Sequence, residues 1–113
     1  MKIVLIDPPF YQILGFYNRY FPFALVALAT FLRKNGFSDV LVYDADYNER
    51  PGNIDYACLP EKYQYYLNSF TEKDQPVWRK VEKTIRKLNP DVVGISLWTT
   101  FAAASFFVAK IIK

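Results

Sequence analysis

The stretch Asp91-Val92-Val93-Gly94-Ile95-Ser96-Leu97-Trp98-Thr99-Thr100 decides the fold. Its first half is a run of branched apolar side chains, as in a strand buried on both faces. Its second half turns abruptly to hydroxyls beside an indole, and a helix-like segment follows at once. Open α/β sheets bind ligands outside the carboxyl ends of their strands. A buried strand tipped with Ser96, Trp98 and Thr100 therefore reads as one wall of a binding site.

Two further runs have the same character. Ile3 to Ile6 is entirely apolar and stops at Asp7, after which Pro8 and Pro9 forbid both helix and ladder pairing. Asp39 to Asp44 also stops at an acid, with Asp46 close behind. Between them, Phe23 to Asn35 is apolar nearly all round, which predicts a substantially covered helix. Gly36 suits its C-terminal cap. Strand, helix and strand joined by short connections imply a parallel pair with a right-handed crossover.

The remaining segments fill in the pattern. Phe10 to Pro22 is aromatic and without a clear period, and so long a connection suggests a functional loop. Pro51-Gly52-Asn53 signals a turn. Glu61 to Phe70 suits a helix with Tyr63, Tyr66, Leu67 and Phe70 on one face. A helix near 77–88 is expected, with Asp74 as its cap and Pro76 in its first turn. It turns Val77, Trp78, Val81, Ile85 and Leu88 inward and Arg79, Lys80, Lys83, Arg86 and Lys87 outward. Asn89-Pro90 stops it. Thr100 to Lys113 reads as a last helix.

The expected fold is α/β, a flavodoxin-like (Rossmann-like) three-layer domain with a parallel sheet in the order 2-1-3. Three strands with an abrupt end look like the first part of a larger sheet, so the domain is expected to be incomplete. In that order the first and third strands are neighbours, and the crevice at the switch point lies between their carboxyl ends. Asp7-Pro8-Pro9 and Ser96 to Thr100 then face each other across one site.

Composition narrows the function. The 113 residues are enough for one domain, and 52% apolar with 19% aromatic content supplies a packed core. A net charge of +3 without a basic stripe interleaved with aromatics argues against nucleic acid as a partner. The chain has no histidine, which excludes imidazole catalysis and imidazole metal ligation by this chain. Its one cysteine, Cys58, excludes an internal disulfide and reads as a loop or core thiol, compatible with a reducing cytosol. The N-terminus lacks the pattern of a signal peptide, and Phe21 to Leu32 is too short to span a bilayer. The expected location is cytoplasmic, with no membrane partner.

Phosphate motifs are missing: no G-x-G-x-x-G follows the first strand and no Walker A sequence occurs. Ser96, Thr99 and Thr100 can bond a neutral polar ligand, or one of them can cap the last helix. Trp98 suits either a ligand face or ordinary packing. Asp7, Asp44 and Asp46 end two parallel strands on one edge. They can bind a cation or a sugar hydroxyl, or act as turn residues bonding local amides.

Taken in order, Lys2 to Phe10 (KIVLIDPPF), Tyr20 to Gly36, Val40 to Asp46 and Asn89 to Ser96 resemble the cobalamin-binding domain that precedes the barrel in cobalamin-dependent radical S-adenosylmethionine enzymes. That group includes methyltransferases and the anaerobic magnesium-protoporphyrin ester cyclase type. The resemblance implies a parallel five-stranded sheet, with the nucleotide tail of the corrinoid inserted near the third strand. The cofactor-binding residues it implies are Asp7, Pro8, Pro9 and Phe10 beside the corrin, and Ser96, Leu97, Trp98, Thr99 and Thr100 around the tail. It implies no catalytic residue and no metal ligand here. The family's Asp-x-His-x-x-Gly is replaced by Asp7-Pro8-Pro9-Phe10, as in radical-enzyme domains that lack the cobalt-ligating histidine. The Cys-x-x-x-Cys-x-x-Cys motif is absent, so the 4Fe-4S cluster and S-adenosylmethionine would belong to a catalytic domain outside residues 1–113. The expected function is positioning cobalamin for methyl transfer or radical chemistry in that domain. The alternative is a non-catalytic flavodoxin-like interaction module that self-associates through an exposed sheet edge and its apolar last helix.

Overall fold

The computed structural model describes residues 1–15, 21–47, 56–71 and 75–113. Strands β1 (Lys2–Asp7), β2 (Asp39–Asp44) and β3 (Val92–Ile95) form one parallel sheet in the order β2-β1-β3. The register sets Ile3 against Val40 and Val92, and Ile6 against Tyr43 and Ile95. Helices follow as α1 (Tyr11–Leu14), α2 (Phe23–Lys34), α3 (Leu59–Asn68), α4 (Pro76–Leu88) and α5 (Ala102–Ile111). This is the expected α/β arrangement of the flavodoxin-like kind, with three strands in the order 2-1-3.

Alternation along β1 divides the core into two layers. Ile3 and Leu5 face α2, where they pack with Leu25, Ala29 and Val40. Val4 and Ile6 face the opposite side, among Phe10, Ile13, Leu14, Tyr66, Trp78, Val81, Ile85, Ala104 and Val108 from α1 and α3 to α5 and their approaches. All four β1 side chains are buried, so β1 is the central strand its composition predicts. Gly94 lets the Leu5 side chain pack close against β3. A Cβ there would meet Leu5 Cδ2 at 2.7 Å, inside contact distance.

The amphipathic reading of α4 holds for Trp78, Val81 and Ile85, which are buried, while Val77 and Leu88 are half-buried. The helix ends at Asn89, whose φ of 47° is left-handed, just before Pro90. Asp74 lies outside the described residues; Gln75 occupies the N-cap position and makes no side-chain capping bond. Gly36, with φ +96°, stands just past the C-cap of α2. Pro51-Gly52-Asn53 also lies outside the described residues.

Three expectations are corrected. First, α2 is not substantially covered: only Leu25 and Ala29 are buried, and Phe31 is 63% exposed. One sheet face can hide only one flank of a helix, so an all-apolar helix keeps its other flanks in solvent. Second, β3 is not buried on both faces. Val92 is exposed and Val93 to Ile95 are half-buried, because β3 is an edge strand. Third, the segment after Pro9 begins with α1 rather than an aperiodic loop. In α3, only Tyr66 of the anticipated apolar face is buried; Phe70 is half-buried, and Tyr63 and Leu67 are exposed.

Tyr66 ties α3 to α5, because its hydroxyl accepts the buried Ala104 N–H at 3.1 Å. Tyr66→Phe orphans that donor, and a buried unsatisfied amide costs about 1–3 kcal/mol. The variant is expected to lose about 1–2 kcal/mol in urea denaturation. An unchanged midpoint and slope would mean water replaces the hydroxyl.

Candidate functional site

At the carboxyl end of the sheet, a cleft of about 490 Å³ opens between β1, β3 and the start of α2. This is the switch point of the 2-1-3 order, where the chain crosses to either side of β1. Asp7, Pro8, Asp46, Ser96, Trp98 and Thr100 line it together with an aromatic set, Tyr11, Phe21, Phe23 and Phe101. The sequence placed Asp7-Pro8-Pro9 opposite Ser96 to Thr100, and a hydrogen bond joins those walls. Ser96 Oγ donates to Asp7 Oδ1 at 3.0 Å, across 89 residues of chain.

The anticipated residues divide. Asp7, Pro8, Ser96, Trp98 and Thr100 line the cleft. Pro9 and Phe10 do not. Both are buried, and Phe10 packs edge-on against Tyr66 at 5.0 Å, which makes it core support for the cleft wall. Leu97 and Thr99 are exposed and are not among the lining residues. Trp98 is 65% exposed, so its indole is available rather than consumed by packing.

None of Ser96, Thr99 and Thr100 caps the last helix, whose first-turn Ala104 amide goes to the Tyr66 hydroxyl. Trp98 and Phe101 hold the N-cap positions of the short 3-10 turn Thr99–Phe101 and of α5, and neither makes a side-chain capping bond. Ser105, unremarked in the sequence, instead donates its hydroxyl to the Ser96 carbonyl at 2.8 Å, which pins the strand end to α5.

Asp46 is the residue whose role the sequence left least defined. It is 2% exposed, and its carboxylate accepts three backbone N–H bonds from the start of α1. Phe10 and Gln12 donate to Oδ1 at 2.9 and 2.8 Å, and Tyr11 donates to Oδ2 at 3.1 Å. Asp44 Oδ1 in turn accepts the Asp46 N–H at 3.1 Å. The turn-residue reading is therefore realised for Asp44, which bonds an amide two residues on, whereas Asp46 bonds amides 34 to 36 residues away instead of local ones. The cation reading fails: among the described residues no group of three or more carboxylate or thiol side chains is placed to hold a metal ion.

Burial dominates the electrostatics. It raises the Asp7 carboxyl above its usual range, with the Ser96 hydroxyl pulling the other way. Asp44 is raised by burial and by the charge of Asp7, against the Asp46 amide. Asp46 is pushed up to about 7 by burial, opposed by its three N–H donors and reinforced by Asp7. No Lys or Arg is among the described residues lining the cleft, and the chain contains no histidine. The floor is acidic and the rim aromatic.

No protein-family model matches the chain, and neither does any curated protein or solved structure. No helix among the described residues is long and apolar enough to cross a membrane.

Proposed function

We propose that this chain belongs to a cobalamin-binding domain of the radical S-adenosylmethionine type, and that its cleft receives the nucleotide tail of the corrinoid. The observation that carries this reading is the place of the cleft, between the carboxyl ends of β1 and β3, with Ser96 and Thr100 hydroxyls beside the exposed Trp98 indole. The residues fit a tail and not the metal. A volume of about 490 Å³ lies within the range for small-ligand sites, about 300–1,000 Å³. Hydroxyls can bond a base or an amide, and the indole can cover an apolar ring face. With no histidine in the chain, no imidazole from it reaches cobalt. Bound cobalamin would supply methyl-transfer or radical chemistry to a catalytic domain carrying the iron–sulfur cluster and S-adenosylmethionine. The residues here bind and orient.

Titration with hydroxocobalamin, followed by its visible spectrum and by Trp98 fluorescence, tests the reading. Saturable binding is expected, with cobinamide, which lacks the nucleotide tail, at least about tenfold weaker, a difference of about 1.4 kcal/mol. Trp98→Ala is expected to weaken cobalamin by a similar factor. Equal binding of the two corrinoids, or no saturable change, would remove the claim.

A second reading, a self-associating interaction module, is favoured by the uncovered flank of α2. Ala24 lines the cleft, and Leu28 and Phe31 continue the same flank at helical spacing, 45% and 63% exposed. Val92 pairs with Ile3 and so lies on the α2 side of the sheet, 44% exposed. Burying this flank against a second copy would predict a dimer by light scattering that Phe31→Glu dissociates. A monomer at high concentration would dismiss it.

A further inference from the structure

The chemistry of the cleft lining points beyond any one cofactor. Its polar floor includes two carboxylates, Asp7 and Asp46, and two hydroxyls, Ser96 and Thr100. Asp46 spends both oxygens on the amides of α1. Asp7 does not: Oδ1 accepts the Ser96 hydroxyl, and Oδ2 has no hydrogen bond within the described residues. Around this floor stand the rings of Tyr11, Phe21, Phe23, Trp98 and Phe101. Phe21 and Phe23 stack edge-on at 4.9 Å and are 59% and 75% exposed, so the rim presents ring faces toward solvent.

We infer that the cleft selects a planar ligand with a hydrogen-bond-donating, neutral or cationic edge, such as an amidinium, an aromatic amine or a carboxamide, over one with a carboxylate edge, with Asp7 as the specificity-determining residue. Two effects act together. Ring faces around the cleft hold a flat ligand by stacking, and they attract a cation through the ring quadrupole. The carboxylates repel one another, and a donor edge against Asp7 Oδ2 relieves that repulsion, whereas a carboxylate edge adds to it. Burial raises the carboxyls of Asp7, Asp44 and Asp46, and the charge of Asp7 adds to the rise at Asp44 and Asp46. The inference rests on the lining alone and stands or falls separately from the corrinoid reading.

Three near-isosteric probes test it: benzamidine, benzamide and benzoate, titrated at about pH 8, where the carboxylates are largely ionised. Binding is read from Trp98 fluorescence and from amide chemical shifts around Asp7 and Ser96. Benzamidine is expected to bind at least about tenfold more tightly than benzoate, with benzamide between them. High salt should shrink the preference, since it screens charge in an open cleft. Asp7→Asn keeps the shape and an acceptor for Ser96, and should bring benzamidine and benzoate to near parity. Ser96→Ala keeps the charge and should retain the preference. Benzoate binding as tightly as benzamidine, no saturable binding of benzamidine, or a folded Asp7→Asn variant that keeps the full preference would each overturn the inference. Because none of these probes contains a corrin, their outcome is independent of the cobalamin titration.

Discussion

Trp78→Ala is expected to lower stability by about 3–5 kcal/mol, the cost of deleting a large aromatic from a core that collapses only in part. Trp78 is 5% exposed on α4, and its ring lies 4.8 Å from Phe107 of α5 and 5.5 Å from Phe70 beyond α3. Its indole N–H donates to Ser69 Oγ at 3.3 Å, so the substitution also removes a buried hydrogen bond. The contacts run on through Phe70 and Tyr66 to Phe10, behind the cleft wall. One cavity would therefore loosen three helices and the support of the site. A domain with the usual stability of about 5–15 kcal/mol is left near its folding limit by such a loss. Guanidinium denaturation followed by far-ultraviolet circular dichroism measures it. Trp98→Ala, at the exposed rim, is the control and should change stability by less than about 0.5 kcal/mol. A Trp78→Ala loss below about 1 kcal/mol would mean that α4 is not held by this cluster.

How much of this was legible in the sequence depends on whether the signal was local. Ile3 to Ile6 and the Trp78, Val81, Ile85 stripe carry their periods within a few residues, and both are buried as read. The strand–helix–strand unit implied a parallel pair, and the order 2-1-3 followed from the arrangement common to doubly wound sheets. From that order alone came the meeting of Asp7 and Ser96. The exposure of α2 was not legible, since an all-apolar helix carries no period to say which flank the sheet takes. Neither was α1. Four residues cannot nucleate a helix unaided, and its first turn is held by Asp46, more than thirty residues downstream. Phe10 was misplaced for the same reason. Its neighbours Asp7 and Pro8 line the cleft, but the turn into α1 carries its ring back to Tyr66.

Asp46 supplies the second large effect, and pH separates its parts. Asp46→Ala orphans the amides of Phe10, Gln12 and Tyr11, and the buried ones cost about 1–3 kcal/mol each. Cleft water can reach part of this set, so a loss of about 2–4 kcal/mol is expected, together with loss of the Tyr11 wall of the cleft. Asp46→Asn keeps the size and one carbonyl acceptor but cannot ionise. In the wild type, the folded-state carboxyl is raised from 3.8 to about 7, so between those values the folded protein holds a proton that the unfolded chain has released. Stability from this group is therefore highest below about pH 4 and falls as pH rises toward 7, by up to about 1.4 kcal/mol per unit of displacement. Asp7 and Asp44 are raised as well and tilt the whole curve the same way, but they are common to wild type and variant. The difference between the two proteins isolates Asp46. Wild type is expected to lose ground to the Asp46→Asn variant between about pH 4 and pH 7, and to level off above that, in urea denaturation. A difference that moves in favour of the wild type over that range would mean that the three amide donors outweigh burial, and that Asp46 holds α1 as a fixed anion.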